Sequence, residues 1–260
     1  MSLIQSGQLL RPTSFQLAAT LGAAAAWELD EASGDAKDRI TTYADGTVSG
    51  PTQGSAAIFA TSAGSYDFDG TGDDVVEVGA ADKINNIFSS ADSGSDGGSV
   101  EVWVKIESDG EGNSGRILDK RTPSGLNGWS LWTEAESGSN VALAFRHDFS
   151  GGDGEWTTAV DIEIDTVYHL VITYDKDGDD DADNNPILYV NAAARTDGGG
   201  LTESPSPSGN ARGDESKDLH IGNQDGLGSS FDGLIAGVRF YDFILTAAQV
   251  SDLYESGRPT

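Results

Sequence analysis

The segment best placed for chemistry is Asp161-Ile162-Glu163-Ile164-Asp165. Successive side chains of a strand point to opposite faces, so in a strand Asp161, Glu163 and Asp165 share one face. Two carboxyls about 5 Å apart are the pair a retaining glycoside hydrolase uses, one as nucleophile and one as acid/base. In a chain with 43 acidic residues, however, three carboxylates in alternation read first as a solvated strand face. No catalytic residue is assigned, and β-glucan hydrolysis stays an alternative.

A second candidate is the acidic loop Asp175–Asn185, DKDGDDDADNN. Clustered hard oxygens suit calcium, and Asp175, Asp177, Asp179 and Asp181, helped by Asp183, are the ligands expected if an ion binds. The loop is not an EF-hand, since counting from Asp175 the sixth position is Asp180 and the twelfth is Pro186. A hydrated loop without an ion is the competing reading. Calcium is the one cofactor the sequence points to.

Trp129, Trp132 and Trp156 offer ring faces on which a sugar could stack, Trp156 above all because it follows the glycine-rich loop 150–155. Trp129 and Trp132 are three apart on a strand, so they face opposite ways and at least one belongs to the core. His169 reads as a structural histidine. His147 and His220 lack a second histidine at ligand spacing, and with no cysteine in the chain a zinc site is not supported. Arg212-Gly213-Asp214 spells an integrin-type tripeptide that chance explains in so Gly- and Asp-rich a sequence.

The elements that must position these residues are strands. There are 34 glycines against seven prolines, and short apolar runs alternate with Gly-, Ser- and Asp-rich turns over 260 residues, long enough for one large sandwich with its own core. The formal charge of −28, from 43 acidic against 15 basic residues, excludes nucleic acid and anionic membrane surfaces as partners and suits a saline habitat. The apolar run Phe15–Trp27 is too short to span a bilayer, and with only Arg11 before it makes a poor export signal. Residues 1–20 are read as an arm that docks on a neighbour or on the sandwich, and residues 21–260 as the domain.

The C-terminal stretch Phe231–Gly257, FDGLIAGVRFYDFILTAAQVSDLYESG, reads as a strand running into a short amphipathic helix. Strict alternation puts Leu234, Ala236, Val238 and Phe240 on one face and Ile235, Gly237, Arg239 and Tyr241 on the other, both needing cover. Thr246 and Gln249 form a capping box, and Gly257 and Pro259 end the helix. Val100, Val102, Val104 and Ile106 alternate with Glu101, Trp103, Lys105 and Glu107 in a strand read as half buried, Trp103 adding apolar mass outside.

The stretch Phe231–Gly257 resembles the C-terminal strand and helix of laminin G-like domains, the concanavalin A-like jelly rolls. Trp27–Gly34 (WELDEASG), Ser65–Val78 (SYDFDGTGDDVVEV), Tyr168–Asp175 (YHLVITYD) and Leu188–Asn191 (LYVN) resemble further elements of that family. Its usual glycine after the last of these is Ala192 here, and the Asp that often follows the position of Ile235 in calcium-binding members is Ala236. The resemblance implies an all-β, two-sheet antiparallel jelly-roll sandwich with a short C-terminal helix, and it fixes no reaction. The function expected is a non-catalytic extracellular binding or adhesion module that recognises a glycan or a protein neighbour through rim loops. With no convincing export signal, a virion surface is the location considered, the arm anchoring the chain to other proteins or to its own copies. A purely structural capsid decoration or fibre domain is the alternative from another class.

Overall fold

In the computed structural model the described residues are 12–40, 44–80, 84–88, 97–121, 127–175 and 185–259. They form two facing antiparallel sheets. The front sheet holds β1 (Ala25–Trp27), β3 (Thr52–Ser55), β4 (Ser65–Asp69), β6 (Gly98–Ile106), β12 (Val167–Tyr174), β13 (Ile187–Val190), β14 (Ala193–Asp197) and β17 (Asp232–Tyr241). Its centre runs β17–β6–β12–β13–β14, with β4 and β1 on the two halves of the other edge of β17. The rear sheet holds β2 (Thr47–Ser49), β5 (Val75–Val78), β7 (Arg116–Arg121), β8 (Gly128–Ser137), β9 (Asn140–His147), β10 (Gly154–Thr158), β11 (Ile162–Glu163), β15 (Gly200–Glu203) and β16 (Leu219–Ile221). Its order is β2–β5–β16–β7–β8–β9–β10–β15, and a short parallel pairing of β14 with β15 joins the two sheets.

Val102, Val104, Leu170, Ile172, Ile235 and Phe240 from the front sheet meet Val76, Trp129, Leu131, Leu143, Phe145 and Trp156 from the rear in one continuous core. Burial of this apolar surface is the main drive for closing the sandwich.

The front sheet is covered outside as well. Helix α1 (Ser14–Leu21) and helix α2 (Ala247–Gly257) pack on each other and on Val171, Tyr189 and Tyr241. Both begin with a capping box, Thr13 with Gln16 and Thr246 with Gln249. Ile58 and Phe59 cover Trp103 and Ala236 beside them. β6 is therefore buried on both faces, which corrects its reading as half buried: Glu101 and Trp103 are closed off from solvent as fully as Val102 and Val104.

Beneath these covers lies a buried charge network. Arg239 donates to both carboxylate oxygens of Glu28 at 2.9 Å each, to Glu101 at 2.8 Å and to the Ser14 hydroxyl at 2.5 Å. Glu101 also accepts from the Tyr241 hydroxyl at 2.7 Å and lies 3.1 Å from His169 Nε2. Burial alone would raise the Glu101 carboxyl, but Arg239, followed by His169 and Tyr241, holds it below the usual carboxylate range.

Strict alternation fails in β17. Gly237 takes φ +58° and the register slips between Ala236 and Arg239, a β-bulge whose spare N–H donates to the Glu28 carbonyl at 3.0 Å. After it Val238 and Phe240 share the core face with Ile235 while Arg239 and Tyr241 lie on the outer face with Leu234 and Ala236, so the two halves of the strand are out of step with the alternation expected from the sequence. The turn after β13 keeps a glycine-like shape without glycine, Asn191 and Ala192 standing at φ +50° and +64° in a two-residue hairpin.

Candidate functional site

With the front sheet covered, the outer face of the rear sheet is the broad strand surface on which neither α-helix packs. Cross-strand register sets one line of side chains across six strands: Glu77, His220, Asp119, Ser130, Arg146 and Glu155. Beside it runs Arg116, Trp132, Ala144 and Thr157. Ser130, Ala142 and Ala144 form a low, buried floor that shares this face with the long charged side chains.

Those charges are locked together. Arg121 donates to both oxygens of Asp148 at 3.0 and 2.9 Å, a bidentate pair. Arg146 donates to Asp148 at 3.3 Å and to Asp153, and its Nη1 lies 3.7 Å from Glu155. Arg116 lies 3.7 Å from Asp119 and over the Trp132 ring at 4.5 Å. Among these linked charges Arg146, Asp153 and Glu155 have side chains 29, 23 and 22 % exposed, while Glu77 at the far end of the line is 56 % exposed. The Ser130 hydroxyl and two Arg116 nitrogens are buried without a hydrogen-bond partner among the described residues. The result is a polar plate whose donors and acceptors are fixed before anything binds.

Burial pushes the Asp119 carboxyl up to about 6, against the pull of Arg116 and Arg121. Asp148 and the cross-strand His220 also face it. Between its ordinary value of 3.8 and about 6 the folded state holds the extra proton, so this group lowers stability as pH rises through that window. Asp119→Asn is expected to flatten the stability profile between pH 4 and 6, read by urea unfolding at a series of pH values.

The tryptophans expected as stacking platforms are not open. Trp129 and Trp156 are 0 and 1 % exposed, packed in the aromatic core with Phe145 and bonded through Nε1 to Asp214 at 2.9 Å and Asn185 at 3.1 Å. Trp132 is on the plate but only 6 % exposed, with the Arg116 guanidinium over its ring. Trp129 and Trp156 point into the core between the sheets and Trp132 lies under a guanidinium, and that placement, not ring chemistry, decides all three.

The acidic triplet is not a strand face either. Only Ile162–Glu163 pair as a strand, at an edge, and Asp165 turns away at φ +62°. Asp161 accepts from Arg195 and Asp165 from Lys105, each at 2.7 Å, while Glu163 is exposed. Asp214 of the Arg-Gly-Asp string is buried under the fully enclosed Lys120, whose ammonium meets Asp214 Oδ1 at 3.1 Å, the Asp214 and Lys217 carbonyls at 2.8 and 2.9 Å and Asn85 Oδ1 at 2.9 Å. Asp177, Asp179, Asp181 and Asp183 of the calcium expectation lie outside the described residues, and only Asp175 at the base of the loop lies within them. Among the described residues no three His, Asp or Glu side chains form a group able to hold a metal ion.

A sequence model of the concanavalin A-like lectin/glucanase superfamily, of laminin G type, matches residues 78–251. The chain belongs to this superfamily. Comparison with curated proteins gave no match. Among solved structures the fold is similar to domain 4 of an extracellular arabinanase from Geobacillus stearothermophilus in complex with arabinotriose. There the TM-score is 0.53 at 19% identity, over 89% of this chain and 98% of that one. It is also similar to the binding domain of Paraclostridial mosquitocidal protein 1, with TM-score 0.61 and 13% identity over 90% of this chain and 52% of that one. The botulinum neurotoxin serotype D ligand binding domain in complex with N-acetylneuraminic acid gives TM-score 0.60 and 12% identity over 92% and 52%. The chain spans about half the length of the two toxin domains, and at these identities the likeness establishes the fold alone. No described helix is long and apolar enough to cross a membrane.

Proposed function

We propose that the chain is a non-catalytic glycan-binding module of the outside of a cell or of a virion, and that the plate on the rear sheet is its recognition surface. The observation that carries this reading is the ordering of Arg146, Asp153 and Glu155, on a sheet face over which neither described α-helix packs, by neighbours that already hold them in place. Saccharide hydroxyls both donate and accept, and a surface of alternating carboxylates and guanidiniums answers both roles without rearranging. Domains of the same fold solved with arabinotriose and with N-acetylneuraminic acid support it. The non-catalytic reading rests on the acidic triplet, in which Asp161 and Asp165 are tied to Arg195 and Lys105 while Glu163 stands exposed at an edge.

Glycan-array binding followed by calorimetry with the best ligand tests it. Arg146→Ala and Glu155→Gln are each expected to weaken binding about 10- to 100-fold, the worth of one charge-assisted hydrogen bond. Glu255→Ala on helix α2, behind the front sheet, is expected to leave binding unchanged. Equal loss at both places, or at neither, removes the plate as the site.

A further inference from the structure

We infer that the plate selects saccharides that carry no acidic group, and that their hydroxyls donate to Asp153 and Glu155; this rests on the plate being the glycan surface. Arginines on a binding face ordinarily announce an anionic ligand, and Arg116, Arg121 and Arg146 are three of only nine in the chain. Here each guanidinium already faces an internal carboxylate, although Arg116 keeps two buried nitrogens without a hydrogen bond. Arg121 spends its Nε and one terminal nitrogen on Asp148, Arg146 lies among Asp148, Asp153 and Glu155, and Arg116 lies between Asp119 and the Trp132 ring. Four carboxylates thus face three guanidiniums, and Glu134, accepting from Trp132 Nε1 at 3.1 Å, adds a fifth.

A uronate or sialate would have to sit against these internal carboxylates, the free nitrogens of Arg116 being buried beside Asp119, on a chain that carries −28 overall. The groups left with spare capacity at the solvent edge are acceptors: the Asp153 and Glu155 carboxyl oxygens have more lone pairs than Arg146 and the Phe149 amide occupy. A hydroxyl proton supplies what they lack. Remaining N–H groups of Arg146 meet the oxygen lone pairs of the same sugar. Specificity then comes from an excluding field as much as from contacts made.

The test is a glycan array that prints uncharged and acidic saccharides side by side, probed with the whole protein and with Arg146→Ala, and followed by titration of the strongest binder at low and high salt. The expected result is a set of uncharged hits lost in Arg146→Ala, with affinity changing less than about twofold over a tenfold rise in salt. Acidic hits that depend on Arg146 and weaken as salt rises would overturn the inference while leaving the plate as a glycan site. Hits unaffected by Arg146→Ala and Glu155→Gln, or no hits, would instead overturn the reading beneath it, and this inference with it.

Discussion

Lys120→Met is expected to lower stability by about 3–5 kcal/mol, the cost of leaving one buried partner of an ion pair uncompensated. The Lys120 ammonium is enclosed and supplies three protons to four oxygens drawn from Asn85, Asp214 and Lys217. It therefore cross-links β7 to two loop segments at one end of the sandwich. Burial lowers the lysine from its ordinary value, and Asp214 opposes that shift. Methionine keeps the stem but strands the Asp214 carboxylate, which also fixes Trp129 Nε1 and the Asn86 amide. In thermal unfolding the drop should be about 10 °C for a domain of this size. Adding Asp214→Asn should recover part of it, because the amide oxygen still accepts while the stranded charge is gone. A loss under about 1 kcal/mol in urea unfolding would show that the cage does not hold this end together.

The second large effect is expected from Arg239→Met. Arg239 is enclosed with Glu28 and Glu101, so its removal leaves two buried carboxylates facing each other, again at about 3–5 kcal/mol. Its pH dependence is the sharper test. In the native protein Glu101 is held below the usual carboxylate range, so its contribution is present at neutral pH and is lost on acidification through that lowered value. Without Arg239 burial dominates, the carboxyl rises, and protonation becomes stabilising. The deficit of the variant should therefore shrink as pH falls from 7 towards 5, and combining it with Glu101→Gln should remove much of that slope. A deficit that stays constant with pH would mean the network is neutral packing and not an electrostatic clasp.

The sandwich and its last strand and helix were legible because they depend on local signals: the alternation in Val100–Ile106, the Thr246–Gln249 capping box, and the long likeness across Phe231–Gly257. Helix α1 was hidden by composition, since FQLAATLGAAAAW looks like a cleavable apolar run, although Thr13-x-x-Gln16 and Gly22 mark its two ends. The plate was illegible for a different reason. Arg116, Ser130, Arg146 and Glu155 are neighbours only through cross-strand register, and a slip between Arg116 and Leu118 displaces the first of them. One clue was available: in Val141–His147 the small residues Ala142 and Ala144 share a face with Arg146, opposite Leu143 and Phe145, a shallow charged surface and not a second core. The tryptophans misled because aromatic type says nothing about which side of a sheet is closed.

The extra residue at Gly237 acts as a phase shifter. A strand that kept step throughout would commit one set of positions to the interior along its whole length; here the first half places Leu234 and Ala236 beside Trp103 in the cluster with Ile58 and Phe59, and the second places Arg239 and Tyr241 under the helix pair. The two halves can thus be tuned by substitution independently of each other. Loss of that single glycine would turn the terminal half inside out, driving a guanidinium into the aromatic interior and two core side chains beneath the helices, a change that no exchange of side chain at the same position can imitate.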